Sequence, residues 1–431
     1  MRIPALSIIA LLSLAASAGA RDITVDNAKD IKAAMAAAQP GDTIAIKPGE
    51  YDVGDGLSCA NSGTKDSPIT LRAAGDKDYA KLKVTGRADV GFRVRGKFWV
   101  LRGLHIMGNP AATEDLIQVE GNLGASDLHM VDCKISGCKE FLVKASRTRE
   151  SGPNNVVIEH CEWFDCGGTA IDLPTGDNWV IRGNYVHDYG KGSGTHYGMF
   201  YKGGGKNGLF EGNLVDGKNK AAIGISFGGG LTGHQWMPLV AGSADKVVPE
   251  ATGGICRNNI VINTTDCAYH SNNASDCKFY NNLAYHCGAG FQMQASYPPD
   301  CTLINNVLSG AIKKPGKAEN NLTKVDPAWF VAPDKQDFRL TDAGKAALAG
   351  KGSVLADNPT DFFGQPRKAG SPLDLGPVNA DDNKVSTQWV DRRAAGAGSS
   401  PQPTPTPSAS PAAPDKADSP SPAKPSPVPP L

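Results

Sequence analysis

Through the middle of the chain, apolar and polar residues alternate in short runs broken by Gly, Asn and Asp. No stretch there repeats apolar residues at the three-and-four spacing of a helix face, so the runs predict β-strands. One phrase recurs: Arg182-Gly183-Asn184-Tyr185-Val186, Glu211-Gly212-Asn213-Leu214-Val215 and Arg257-Asn258-Asn259-Ile260-Val261. It continues as Tyr280-Asn281-Asn282-Leu283-Ala284 and Ile304-Asn305-Asn306-Val307-Leu308, and earlier copies put Leu104, Cys133 and Cys161 at the Asn position. The aligned positions, 104, 133, 161, 184, 213, 259, 282 and 306, are 29, 28, 23, 29, 46, 23 and 24 residues apart. The long interval holds an insertion at 231–252. A period of about 20–30 residues carrying strand-like runs is the signature of a solenoid with one coil per repeat. Each coil has a run before the Asn position, such as Asn178-Trp179-Val180-Ile181, and a second about a dozen residues after it. The second runs are Ile117 to Glu120, Phe141 to Lys144, Ile171 to Leu173, Met199 to Lys202 and Ile223 to Ser226. Asn at one offset predicts an internal ladder in which each amide satisfies backbone and the neighbouring coil. No L-x-x-L-x-L framework is present, which excludes a leucine-rich repeat. The predicted fold is all-β: a single-stranded right-handed parallel β-helix.

The ends differ from the middle. Residues 1–20 read as a secretory signal, with Arg2, an apolar core from Ile8 to Ala16, and Ala18-Gly19-Ala20 as the cleavage site. The β-helix domain is expected over 21–380, a linker over 381–393, and a Pro/Ser/Ala-rich disordered tail over 394–431. Of the 30 Pro, 12 lie in the last 31 residues, a stretch with no Gly, whereas most of the 50 Gly fall in the coils and their corners. Lys+Arg and Asp+Glu are 44 each, giving a formal net charge of zero and no basic cluster, which argues against a nucleic-acid partner. No apolar run after the signal is long enough to span a bilayer. The expectation is a secreted, periplasmic or cell-surface monomer.

Ten Cys in an exported chain allow disulfides. Cys133 and Cys161 share one coil offset, Cys138 and Cys166 a second, and Cys277 and Cys301 a third. Equivalent positions on adjacent coils lie about 4.8 Å apart, so each pair is either a disulfide or two stacked thiols packing as small apolar groups. The C-x4-C spacing also suggests zinc, but stacked pairs inside a coil match packing better.

The opening Met35-Ala36-Ala37-Ala38-Gln39-Pro40-Gly41-Asp42-Thr43-Ile44-Ala45-Ile46 through Gly49-Glu50-Tyr51, followed by Ser67-Pro68-Ile69-Thr70-Leu71-Arg72-Ala73, resembles secreted chondroitinase-B-like and alginate-lyase-like proteins. These belong to the pectin-lyase-like β-helix superfamily, which also holds the pectate lyases. The finish is similar as well: Asp326-Pro327, Asp337-Phe338-Arg339-Leu340, Asp361-Phe362-Phe363-Gly364-Gln365-Pro366-Arg367 and Asp374-Leu375-Gly376. The resemblance spans about residues 22–380 and implies that a short Ala-rich helix before Pro40 caps the open end of the solenoid. It is specific for architecture and weak for activity.

Chemistry is expected on the sheet built by the second runs. With Ile117, Val119, Phe141, Val143, Ile171, Leu173, Met199, Tyr201, Ile223 and Ile225 inward, alternation predicts an outward column of Glu120, Lys144, Asp172, Lys202, Ser226, His270 and Gln294. The resemblance implies a polysaccharide lyase acting on an acidic, uronate-containing polymer by β-elimination, with Lys202 as the C5 base. His196 or His270 is the alternative base, and Tyr197 the acid for the leaving oxygen. Glu120, Lys144, Asp172, Gln294 and Trp236 are the expected substrate contacts, Trp236 as a stacking platform on the insertion. Ca²⁺ is the implied ion, and Asp172, Asp188 and Glu120 are its candidate ligands, although the tight acidic cluster usual in calcium-using lyases is missing. Two readings stand beside the lyase: a noncatalytic glycan-binding protein, and a glycoside hydrolase using Asp172 and Glu120.

Overall fold

The computed structural model describes residues 19–393, save 88, 231–234, 236, 295–299, 382–385, 390 and 392. Each coil contributes three strands, one to each of three parallel sheets of 12, 10 and 10 strands. The first sheet takes the strand before the Asn position, running from Asp22–Val25 to Lys317–Glu319. The second takes the strand just after it, and the third, from Leu57–Cys59 to Ile312–Lys313, takes the more distant run. The result is the expected right-handed parallel β-helix.

The recurring phrase has a physical cause. The residue before each ladder position sits in the left-handed region: Gly183 at φ 60, Gly212 at 62, Asn258 at 57, Asn281 at 50 and Asn305 at 63. Gly adopts that conformation most readily and Asn, Asp or His less so, so the motif mostly reads Gly-Asn or Asn-Asn, with His160 at φ 55 before Cys161. The ladder residue then turns inward. Asn213, fully buried, donates through Nδ2 to the carbonyl of Ile181 and to Oδ1 of Asn259, both at 2.9 Å. Its own Oδ1 accepts from the backbone and side-chain amides of Asn184 at 3.0 and 3.1 Å. The ladder runs on through Asn282 and Asn306 to Asn321, one rung beyond the repeat that the sequence displays. In the upper coils Cys161 takes the rung, its Sγ accepting from the backbone N–H of Cys133 at 3.4 Å.

Inside, like residues stack coil upon coil, as in Ile158, Ile181, Phe210, Cys256, Phe279 and Leu303 along the first sheet. All ten Cys are free thiols, and Cys138 and Cys166 stack with their sulfurs 3.3 Å apart. One end is closed by the helix Ala28–Ala36, whose Asn27 side chain accepts from the Asp30 amide and whose Ile31, Ala34 and Met35 are buried.

The other end folds back. Outward residues of the second sheet, Tyr185, Leu214, Ile260, Leu283 and Val307, are apolar and pack against Phe330, Phe338, Leu340, Leu348 and Leu375. Described residues of 381–393, where composition predicts a linker, continue along the same sheet. Thr387 Oγ1 accepts from the Phe338 amide at 2.7 Å, and Trp389 stacks 5.9 Å from Tyr185. Asp391 accepts from Tyr79 at 2.8 Å and pairs with Lys134 at 2.7 Å, while Arg393 donates to the carbonyls of Gly75 and Asp78. Residues 1–18 of the expected signal and the tail from 394 lie outside the described residues.

Candidate functional site

The outward face of the third sheet is where charge and aromatic rings meet. Register fixes its central row as Arg93, Gln118, Lys144, Asp172, Phe200, Ser226, His270 and Gln292. Glu120, Lys202 and Gln294 therefore belong to a parallel row two residues further along their strands, not to one column with Asp172 as alternation alone suggested. Phe200 occupies the place the sequence reading gave to Lys202. Of the inward assignments, Ile117, Val119, Val143, Ile171, Leu173, Met199, Tyr201, Ile223 and Ile225 are buried, but Phe141 is not: Leu142 takes the interior place, and Phe141 is half-buried with Lys144 Nζ 4.1 Å from its ring centre.

The two rows meet at Asp172. Lys202 Nζ lies 3.2 Å from Asp172 Oδ1 and 4.1 Å from the centre of the Phe200 ring. Tyr197 stacks on the other part of Phe200 at 3.9 Å. Asp172 is 2% exposed; burial raises its pKa, and Lys202 and Lys144 oppose that rise. The same arrangement recurs one step back along the solenoid: Lys144 Nζ lies 3.7 Å from Asp115 and 4.1 Å from the Phe141 ring. Burial lifts Asp115 to about 6, with the negative charge of Asp172 adding to the rise and Lys144 resisting it.

Lys202 is held by its own turn. Gly203 and Gly204 follow it at φ +70 and +84, and a Cβ on Gly203 would stand 1.9 Å from the Pro174 carbonyl. The Gly203 amide donates to Glu250 Oε2 at 2.7 Å, and the Gly203 carbonyl accepts from Arg147 at 2.7 Å. The insertion is thus tied to the Lys202 turn through Glu250. Phe200, Asp115, Arg147 and Glu250 were not found by sequence reasoning. Only Phe200 carried a signal, as the other outward residue of its strand.

The remaining candidates are dispersed. His270 is 2% exposed beneath the face, its Nδ1 2.9 Å from Ser226 Oγ, and burial lowers its pKa to about 4, so it is neutral at pH 7. His196 lies on the flanking loop and donates to its own loop's Ser193 carbonyl at 3.0 Å. Burial raises the Tyr197 phenol to about 12. Gln294 is exposed, near Asn272. Trp236 lies outside the described residues.

The three candidate calcium ligands do not meet. Glu120 is gripped by Arg93 at 2.6 Å and by Arg95, Asp188 pairs with His187 at 2.6 Å at a corner off the sheet, and Asp172 faces Lys202. Among the described residues no three His, Cys, Asp or Glu side chains converge as a metal site. This donor set does not fit Ca²⁺, because the three carboxyls do not converge and each is already engaged by a side chain of the protein.

Residues 12–178 match the family model described as Pel9A-like, right handed beta helix region. A search of curated proteins finds no match. Among solved structures, pectate lyase Pel9A is 16% identical with a TM-score of 0.57, covering 84% of this chain and 96% of that one. The Agl-KA catalytic domain is 15% identical with a TM-score of 0.50, covering 72% and 58%. An alginate lyase from Paenibacillus sp. str. FPU-7 is 17% identical with a TM-score of 0.49, covering 70% and 99%. At these identities the likeness is one of fold.

Proposed function

We propose that this chain, a right-handed parallel β-helix of the pectin-lyase-like superfamily, is an exported enzyme that binds an acidic polysaccharide across its third sheet and cleaves it by β-elimination. The observation that carries the reading is Lys202 Nζ, 3.2 Å from the buried carboxyl of Asp172 on a ring platform. A lysine removes a proton only in its neutral form. Asp172, made more basic by burial, can take the ammonium proton during the reaction, so that the pair stays charged while the glycan binds and passes through a neutral form only as the C5 proton is drawn off. Lys202 Nζ then takes the C5 proton of a uronate. The C5–H electron pair forms the C4=C5 double bond, the C4–O bond breaks, and the leaving oxygen takes a proton from Tyr197, whose raised pKa keeps it a phenol. Export is supported by the leader-like residues 1–20, and among the described residues no helix is long and apolar enough to cross a membrane.

Hydrolysis is a second reading, favoured by two carboxyls of raised pKa, Asp115 and Asp172, on the same face. The mature protein, incubated with pectate, alginate and glycosaminoglycans with and without chelator, separates the two. Ultraviolet absorbance of an unsaturated uronate, abolished in Lys202→Ala, is the expected result. Reducing ends without that absorbance would assign a hydrolase, and binding without products would overturn both enzyme readings.

A further inference from the structure

Asp115, Lys144, Asp172 and Lys202 stand on four consecutive strands of the third sheet and alternate in sign. They interact along an oblique path, since only Lys144 and Asp172 are in register, Asp115 pairing with Phe141 and Lys202 lying two residues past Phe200: Asp172 feels both lysines, and Asp115 feels Lys144 and Asp172. Each lysine leans one coil back onto a carboxyl and lies 4.1 Å from an aromatic ring centre, so the module repeats every second coil. A 1,4-linked pyranose lengthens a glycan by about the ~4.8 Å that separates neighbouring strands, so one sugar passes per coil and two per module.

We infer that the groove takes an alternating copolymer, an acidic sugar over each lysine and an uncharged, hydroxyl-bearing sugar over each aspartate, in preference to a homopolymer of uronic acids. The inference rests on the reading of this face as the polysaccharide site. A carboxylate beside Lys144 or Lys202 makes a charge-assisted hydrogen bond, whereas hydroxyls are donors suited to the oxygens of Asp115 and Asp172. A uronate over Asp172 would set carboxylate against carboxylate in a buried place.

The test is binding, read by calorimetry and independent of turnover, on size-matched oligosaccharides of two kinds. Heparosan and unsulfated chondroitin alternate acid with uncharged sugar, whereas polygalacturonate and polymannuronate carry acid at every residue. The alternating glycans are expected to bind at least about tenfold more tightly, and Asp172→Asn should shrink that ratio to about twofold by relieving the repulsion. Lys144→Gln should weaken alternating tetramers about tenfold and leave dimers, which reach only one lysine, unchanged. Thermal melts check that both variants are folded. Equal or tighter binding of the homopolymers, an unmoved ratio in Asp172→Asn, or no binding of any alternating glycan would overturn the inference. Tight alternating binding with no cleavage would sink the enzyme reading and leave the inference standing.

Discussion

Asn213→Asp is a nearly isosteric probe of the ladder. The native amide donates twice, to the Ile181 carbonyl and to Asn259 Oδ1, from a fully buried position. An ionised carboxyl there would oppose two acceptors inside the solenoid, so the introduced group should instead bind a proton. Holding that proton at pH 7, about three units above an ordinary carboxyl pKa, costs ~4 kcal/mol. The protonated group restores one donor and leaves one acceptor unpaired, at about 1–3 kcal/mol. The expected loss is therefore about 5–7 kcal/mol at pH 7 and about 1–3 kcal/mol at pH 4. The sign follows from linkage: the folded variant binds a proton that the unfolded chain does not, so its relative stability falls as pH rises above ~4. Urea unfolding of both proteins at the two pH values measures this. A loss equal at pH 4 and pH 7, or below ~1 kcal/mol at both, would refute a sealed ladder in which the amide is an obligatory donor.

Asp115, lifted by burial to about 6, costs folding stability that builds as pH rises from about 4 and is complete above about 6. Asp115→Asn should therefore gain up to ~3 kcal/mol at pH 8 and nothing near pH 4, as read by denaturant titration. Gly203→Ala meets both a φ of +70 and a carbonyl 1.9 Å from the new Cβ, and should cost about 3 kcal/mol or more. It should also abolish any product that depends on Lys202, as an ultraviolet assay would detect. Alkylation followed by mass spectrometry should label at most Cys287 in the native protein and all ten thiols after denaturation. A mass two hydrogens short would reveal a bridge, first suspected between Cys138 and Cys166.

Period and alternation carried the architecture because both are imposed by the backbone. A left-handed residue before each rung restricts that position to a few residue types, and from Asn184 onward the buried rung is an amide that bonds its neighbours. The coil was thus readable from Gly183-Asn184 or Asn281-Asn282 alone. Inward and outward were legible within a strand, since Met199 and Tyr201 point in as their alternation predicts, but not at its start, where Leu142 rather than Phe141 fills the interior. Which outward residue of one strand faces which of the next was not. Corner lengths vary from coil to coil, and a shift of two keeps every side chain on its face, so Lys202 and Phe200 were equivalent until hydrogen bonding set the register. The calcium set failed for a related reason. Glu120 and Asp188 were acidic in the right region, but the arginines that occupy Glu120 come from the neighbouring strand, and Asp188 turns to the preceding His187 at a corner off the sheet.

The return of the chain along the second sheet changes what kind of object this solenoid is. Stacked coils ordinarily touch only their neighbours and can fray from either end one at a time. Here Asp391 is bonded to Tyr79, 312 residues earlier, and Arg393 reaches the loop before it. The two ends of the stack are therefore strapped together, and no coil in between can open without loading the strap. Unfolding should be a single concerted event where an open solenoid would unzip. Folding carries the complementary delay, because the strap closes only after every coil it spans has been made, a closure over some 312 residues.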